Sequence, residues 1–255
     1  MFFWLLITFI LGSAVGSFLN VVIDRTTRGE TILGRSYCDY CKATLRTFDL
    51  VPILSFITLG ARCRYCKKSL SWQYPLVETI IALLFVSSFL VLVQSGQLSV
   101  AALLYYFFLV STFLVVAVVD QKFSLIPTTL VFAASLISLF YNYFYLSSGL
   151  FFEHVLAAFA ASLFFLIIVL ATRGRGMGEG DIVLGFLIGM VLGVKGAILA
   201  IFLAFLIGAV VSLLLIICGK KSFGQTIPFA PFLALGFLTA LFWAKPIIEW
   251  YLMLY

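Results

Sequence analysis

The chain has 255 residues, 64% of them hydrophobic and only 10% charged, with 16 Lys and Arg against 10 Asp and Glu. An average soluble domain is about 45–50% apolar and roughly 25% charged; with a mean hydropathy of +1.22, this composition excludes a soluble enzyme, a secreted domain and a disordered chain. What remains is an all-α polytopic membrane protein whose first partner is the lipid bilayer and which has no nucleic acid to bind. The 28 Phe and 11 Tyr suit lipid-facing and interfacial surfaces. A charge at membrane depth costs at least about 2.5–3.5 kcal/mol, so the position of each charge is informative.

Residues 2–23 form one apolar run with no Lys or Arg before Arg25. A secretory signal would carry a basic start and a short apolar core, so residues 1–23 are expected to be an uncleaved first transmembrane helix. Residues 24–74 hold nine of the 16 basic residues and four of the five cysteines. They form the only stretch long enough to fold outside the bilayer as a small loop domain. Seven apolar segments follow, near 75–94, 98–119, 125–146, 150–172, 182–194, 196–217 and 228–248. The one near 182–194 is short for a hydrocarbon core of ~30 Å, which needs about 20 residues; it is expected to be partly re-entrant or to start inside a cavity. The chain thus reads as about eight transmembrane helices, with residues 75–255 as a seven-helix core and no soluble repeat.

Basic residues concentrate on the cytoplasmic side of membrane proteins. With the 24–74 loop there, alternation also places Lys122, Arg173, Arg175, Lys220 and Lys221 in the cytoplasm. Only Lys195 and Lys245 fall outside, a split of 14 to 2. Both termini are then expected on the outer side.

The loop carries Cys38-x2-Cys41 and, 21 residues on, Cys63-x2-Cys66. Two CxxC turns in one loop are the pattern of a four-thiolate zinc site, each turn delivering two thiolates to one side of a tetrahedral ion. A closed four-Cys site leaves no position for reactive water, so Zn2+ here is expected to be structural. A disulfide reading is disfavoured by the reducing compartment. Cys218 stands alone at a helix end and is assigned nothing.

Two acids sit at the cytoplasmic ends of apolar helices with no basic partner at helical spacing. Asp120 ends the third helix, and Asp181 opens the sixth after Gly176-Met177-Gly178-Glu179-Gly180. Hydrolysis of a peptide by two carboxylates needs one ionised and one protonated. Like charges about 3 Å apart cannot both ionise cheaply, so such a pair shares a proton. Gly178 and Gly180 would let the backbone come close beside the pair. Taken singly, Asp181 reads as a helix N-cap and Asp120 as a cap or a partner of Lys122. Glu179 ranks below Asp181; Asp24 and Glu78 are expected to pair with the loop's Arg and Lys. Glu153, Glu249 and the single His154 fall on the outer side, which weighs against catalysis by a His base.

The chain resembles the type IV prepilin peptidases along nearly its whole length. The resemblance rests on Gly16-Ser17-Phe18-Leu19-Asn20-Val21-Val22, the two cysteine turns, Asp49-Leu50-Val51-Pro52 and Tyr74-Pro75-Leu76-Val77-Glu78. It continues through Asp120 with Ile126-Pro127, the GxGD-type Gly178-x-Gly180-Asp181, and Ile227-Pro228-Phe229-Ala230-Pro231-Phe232. It implies a bacterial inner-membrane aspartyl protease that cuts a short basic leader from prepilins or pseudopilins at the cytoplasmic face, after a Gly. Asp120 and Asp181 would be its catalytic pair. It also implies N-methylation of the new N-terminus with S-adenosylmethionine as donor. Asn20, Arg25, Asp49 and Glu78 are the polar candidates for methyl transfer, with a cap or a loop salt bridge as the other reading of each. The chain departs from the family pattern at Asp39, Thr128 and Val183, where Pro, Asp and Lys are usual. Two rivals remain: a presenilin-like protease, which lacks the cysteine loop, and a transporter or scaffold. Ion pathways usually place acids near mid-bilayer, whereas these acids sit at one face.

Overall fold

The computed structural model describes residues 1–31, 33–174, 176–220, 222 and 227–253, apart from the side chains of Thr27 and Leu252. Arg175 and Lys221, counted in the charge asymmetry, lie outside the described residues. Eight helices follow one another: α1 (Phe2–Arg28), α2 (Leu54–Thr58), α3 (Gln73–Gln94), α4 (Val100–Phe123), α5 (Thr128–Tyr145), α6 (Ser148–Thr172), α7 (Glu179–Ile217) and α8 (Ala230–Leu252). A 3-10 turn at Thr47–Leu50 precedes α2. Among the described residues there is no strand, only two isolated bridges, Tyr37–Thr44 and Arg62–Ser69. Seven of the helices are long and apolar enough to cross a membrane. The chain is an all-α, multi-pass membrane protein, as its composition required.

α7 spans 39 residues, about 58 Å at the helical rise and nearly twice a ~30 Å hydrocarbon core. It is not one rod. Gly193 sits at φ 66°, ψ −174° inside it, in the left-handed half of backbone space that glycine tolerates and other residues resist. A straight helix would hold residues 185 and 205 about 30 Å apart. Here Phe165 of α6 packs against Gly185, and its ring lies 6.5 Å from that of Phe205. The chain therefore reverses at Gly193, and residues 179–192 run antiparallel to 194–217. All eight apolar segments expected from the sequence are present, two of them joined in α7.

The reversal frees the carbonyl of Met190, whose helical donor would be the amide of residue 194. Asn142 Nδ2 of α5 donates to it at 2.6 Å and His154 Nδ1 of α6 lies 2.9 Å from it. A carbonyl only accepts, so His154 carries its proton on Nδ1. The single histidine is thus a brace for a broken helix.

The chain divides into two compact units, Met1–Val115 and Val116–Tyr255. In the first, α1 and α3 run antiparallel in close contact: a Cβ at Gly12 or Gly16 would lie 2.7 Å from the Cα of Ala82 or Glu78. Phe85 stacks on Phe107 at 3.8 Å and ties α3 to α4. In the second, α6 packs on the first half of α7 and α8 on the second half. There Gly236 sits on the backbone of Ala200, and the rings of Phe205 and Phe229 meet at 4.9 Å.

Candidate active site and cysteine centre

α4 runs on through Phe123, so Asp120 stands in its last turn rather than after its end. The side chain is 6% exposed, and its Oδ2 accepts the Ala230 amide at the start of α8 at 3.1 Å. Asp181 is the third residue of α7, whose N-cap is Gly178. It is 4% exposed, and its Oδ2 accepts the Gly178 amide at 3.2 Å. The N-cap position expected for Asp181 falls to Gly178, and Asp181 instead reaches back from the third helical position to the N-cap amide with one oxygen; among the described residues its Oδ1 is buried without a hydrogen-bond partner. A Cβ at Gly180 would lie 2.7 Å from Ile126 Cβ, so this glycine lets α7 start against the segment that follows Asp120. At Gly178 a Cβ would meet only the Asp181 carboxylate, at 3.8 Å; the steric need is at Gly180. Glu179 is exposed.

The four loop cysteines converge, all Sγ atoms lying within 4.8 Å of one another. Cys38 and Cys66 Sγ are 3.9 Å apart, against a tetrahedral edge of about 3.8 Å for zinc–sulfur bonds of about 2.3 Å. All four are free thiols, with Cys38 and Cys63 buried. The donor set fits a tetrahedral thiophilic ion. The Cys66 amide, against burial, draws the Cys63 thiol down to about 7, while burial and the neighbouring thiols push Cys66 up to about 11, so Cys63 is the readier thiolate of the two. The two turns are copies of each other. Cys38 and Cys63 amides donate to Ala43 and Lys68 carbonyls, and Lys42 and Lys67 amides return to Cys38 and Cys63 carbonyls. Lys42 and Lys67 share a left-handed φ of 56° and 59°. Asp39 forms a two-pronged pair with Arg28, joining the end of α1 to the first turn.

Beside this centre lies a cavity of about 250 Å³. Asn20, Arg25, Asp49 and Glu78 all line it, together with Tyr37 and Tyr74. Each of the four also has a protein partner. Asn20 donates to the Tyr74 carbonyl, and the buried Arg25 donates to the carbonyls of Thr31 and Arg35. Asp49 accepts from Arg64 Nε at 2.6 Å and from the Arg46 amide. Burial would raise the Asp49 carboxyl, but these donors hold it below its ordinary value. Glu78 is buried and accepts the Ile53 amide at 2.8 Å, where a basic partner was expected. The cavity belongs to the first unit and the carboxylate pair to the second.

Residues 10–92 match the family of the bacterial peptidase A24 N-terminal domain, and residues 107–213 match the type IV leader peptidase family. A prepilin leader peptidase/N-methyltransferase of Bacillus subtilis (strain 168) is 35% identical, over 96% of this chain and 97% of its own length. The chain belongs to the prepilin leader peptidase/N-methyltransferase family. Relatives of the same name from Pseudomonas aeruginosa and Burkholderia pseudomallei (strain 1026b) are 29% and 30% identical, over 98% and 93% of this chain and 93% and 84% of theirs. No solved structure matches. As a prepilin leader peptidase/N-methyltransferase family member, the chain is a multi-pass membrane enzyme.

Two features of this family member escaped the sequence reading. The loop does contain a repeat, Cys-x-Tyr-Cys-Lys-x-Thr/Ser-Leu at 38–45 and 63–70, legible once the two turns are aligned on their cysteines. The Glu78–Ile53 contact left no signal, because any backbone amide can serve as donor.

Proposed function

We propose that this enzyme cleaves the short basic leader of type IV prepilins or pseudopilins at the cytoplasmic face of the inner membrane, after a Gly, with Asp120 and Asp181 as an aspartate dyad. What supports the reading is two buried carboxylates at the ends of apolar helices, Asp120 in the last turn of α4 and Asp181 in the first turn of α7, the latter with one oxygen that has no hydrogen-bond partner among the described residues. One carboxylate, ionised, takes a proton from water as the water oxygen attacks the scissile carbonyl carbon. The other, protonated, donates a hydrogen bond to the carbonyl oxygen as charge develops there. The tetrahedral adduct collapses when the departing amine receives the proton. Low dielectric around buried groups keeps one proton on the pair.

Residues 24–74 act in this reading as a cytoplasmic domain held together by Zn2+ on Cys38, Cys41, Cys63 and Cys66. The cavity beside them accepts S-adenosylmethionine, which supplies the methyl group for the new pilin N-terminus. Its mixed lining of carboxylates, guanidinium groups and tyrosines suits a ligand that is both zwitterionic and aromatic. Asn20, Arg25, Asp49 and Glu78 would hold or orient the donor and the amine.

Mass spectrometry of a prepilin co-expressed with the enzyme tests both halves. Leader loss with a methylated N-terminal residue is expected. An uncut prepilin overturns the protease reading, and a cut, unmethylated one overturns the second activity alone.

A further inference from the structure

Residues 50–61 carry no charge, whereas the rest of the 24–74 loop holds 13 charges. This stretch contains α2, and it does not stand clear of the membrane helices. Its Ile53 amide is held by Glu78, five residues into the membrane-spanning segment that starts at Gln73 and so about 7 Å along it. Glu78 in turn faces Gly16 of α1, inside the span Phe2–Thr26. The chain is turned there by a tight reversal in which the Leu54 amide donates to the Pro52 carbonyl and Ile53 has φ 62°, ψ −50°. That is the rare, strained γ-turn, and strain of this kind persists only where the surroundings hold it.

From this anchor α2 presents two faces. Ser55, Phe56 and Leu59 line the cavity, and Phe56 meets Trp72 edge-on at 5.1 Å. Leu54 and Ile57, absent from the cavity lining, are 61% and 67% exposed, and Trp72 is 72% exposed. Trp72 directly precedes α3, where tryptophan belongs at a membrane–water boundary. A backbone in contact with lipid must satisfy its own amides. Most of the segment does so: the amides of Leu54, Ser55, Ile57, Leu59, Gly60 and Ala61 donate to its own carbonyls, Ile53 donates to Glu78, and Pro52 has no N–H.

We infer that residues 50–61 are a membrane-embedded wedge. Leu54 and Ile57 insert into the acyl-chain boundary of the bilayer, while the opposite face walls the cavity. The wedge places the cavity at the membrane surface, and the inference stands whether or not that cavity takes a methyl donor.

The test uses the full chain in liposomes, with Trp4, Trp72, Trp243 and Trp250 replaced by Phe and Ile57→Trp as the only tryptophan. Lipids brominated in the upper half of their acyl chains should quench its fluorescence about twofold or more, and aqueous iodide should have little effect, as for other interfacial side chains. Quenching by iodide without quenching by brominated lipid overturns the inference. So does iodide protection that appears only when a prepilin is added, which would make the face a protein-docking surface. Leu54→Trp in the same background gives the same readout if the first variant does not fold.

Discussion

A buried carboxylate oxygen without a hydrogen-bond partner is costly, and Asp181 Oδ1 is one. In the proposed dyad, a proton shared with Asp120 would remove that cost and prepare the pair for acid–base work. Asp120→Asn and Asp181→Asn should each lower prepilin cleavage by about 10²–10⁴-fold while the protein still inserts and folds. Cleavage at the wild-type rate by either variant would sink the dyad. Gly180→Ala should also slow cleavage, because the added methyl meets Ile126 and pushes the start of α7 off the Asp120 segment. Shortening the neighbour in Gly180→Ala/Ile126→Ala should restore part of the rate; no recovery would mean that Gly180 acts in some other way. Both aspartates stand out in the sequence because charge is so scarce that an acid at a helix end is conspicuous, and both are buried at helix ends. Glu78 could not be assigned, since the acceptor of a backbone amide leaves no trace in residue spacing.

Among the elements, α7 shows what hydrophobic runs do and do not fix. An apolar stretch reports that a helix crosses a membrane but not how its ends are satisfied. The break was expected near residue 195 and lies at Gly193. The brace on the freed Met190 carbonyl comes from Asn142 and His154 on two other helices, so no local pattern announces it. Interhelical hydrogen bonds of this kind are worth about 0.6–2 kcal/mol. Asn142→Leu should therefore lower the thermal midpoint in detergent, with Glu153→Gln as a control that leaves it in place. Gly193→Ala should cost more, about 1–3 kcal/mol, since its φ is left-handed and its new methyl would lie 3.0 Å from His154 Nε2. Equal midpoints for wild type and both variants would show that the reversal does not depend on these contacts. The cysteine turns make the complementary case: their ligand spacing was plain in the sequence, while their equivalence emerged only from matching backbone hydrogen bonds.

At the scale of the molecule, the cysteine centre and the cavity belong to one compact unit and the carboxylate pair to the other. Cys38 and Cys63 themselves line the cavity, so the metal proposed on the four thiolates would fix its walls directly. No residue of the first unit supplies a carboxylate to the proposed dyad. Losing the metal should therefore affect the two activities unequally. Cys38→Ser/Cys41→Ser should abolish stoichiometric zinc, measured by atomic absorption on the purified enzyme. It should also remove methylation of a co-expressed prepilin and leave leader cleavage within about tenfold of wild type, an effect below the 10²-fold scale of a lost catalytic group. Metal chelation of the intact enzyme should give the same split, and adding back Zn2+ should restore methylation. Retained zinc in the double variant would refute the four-thiolate site. Equal loss of both activities would instead mean that the cysteine loop organises the protease as well, and that the two chemistries are not carried by separate units.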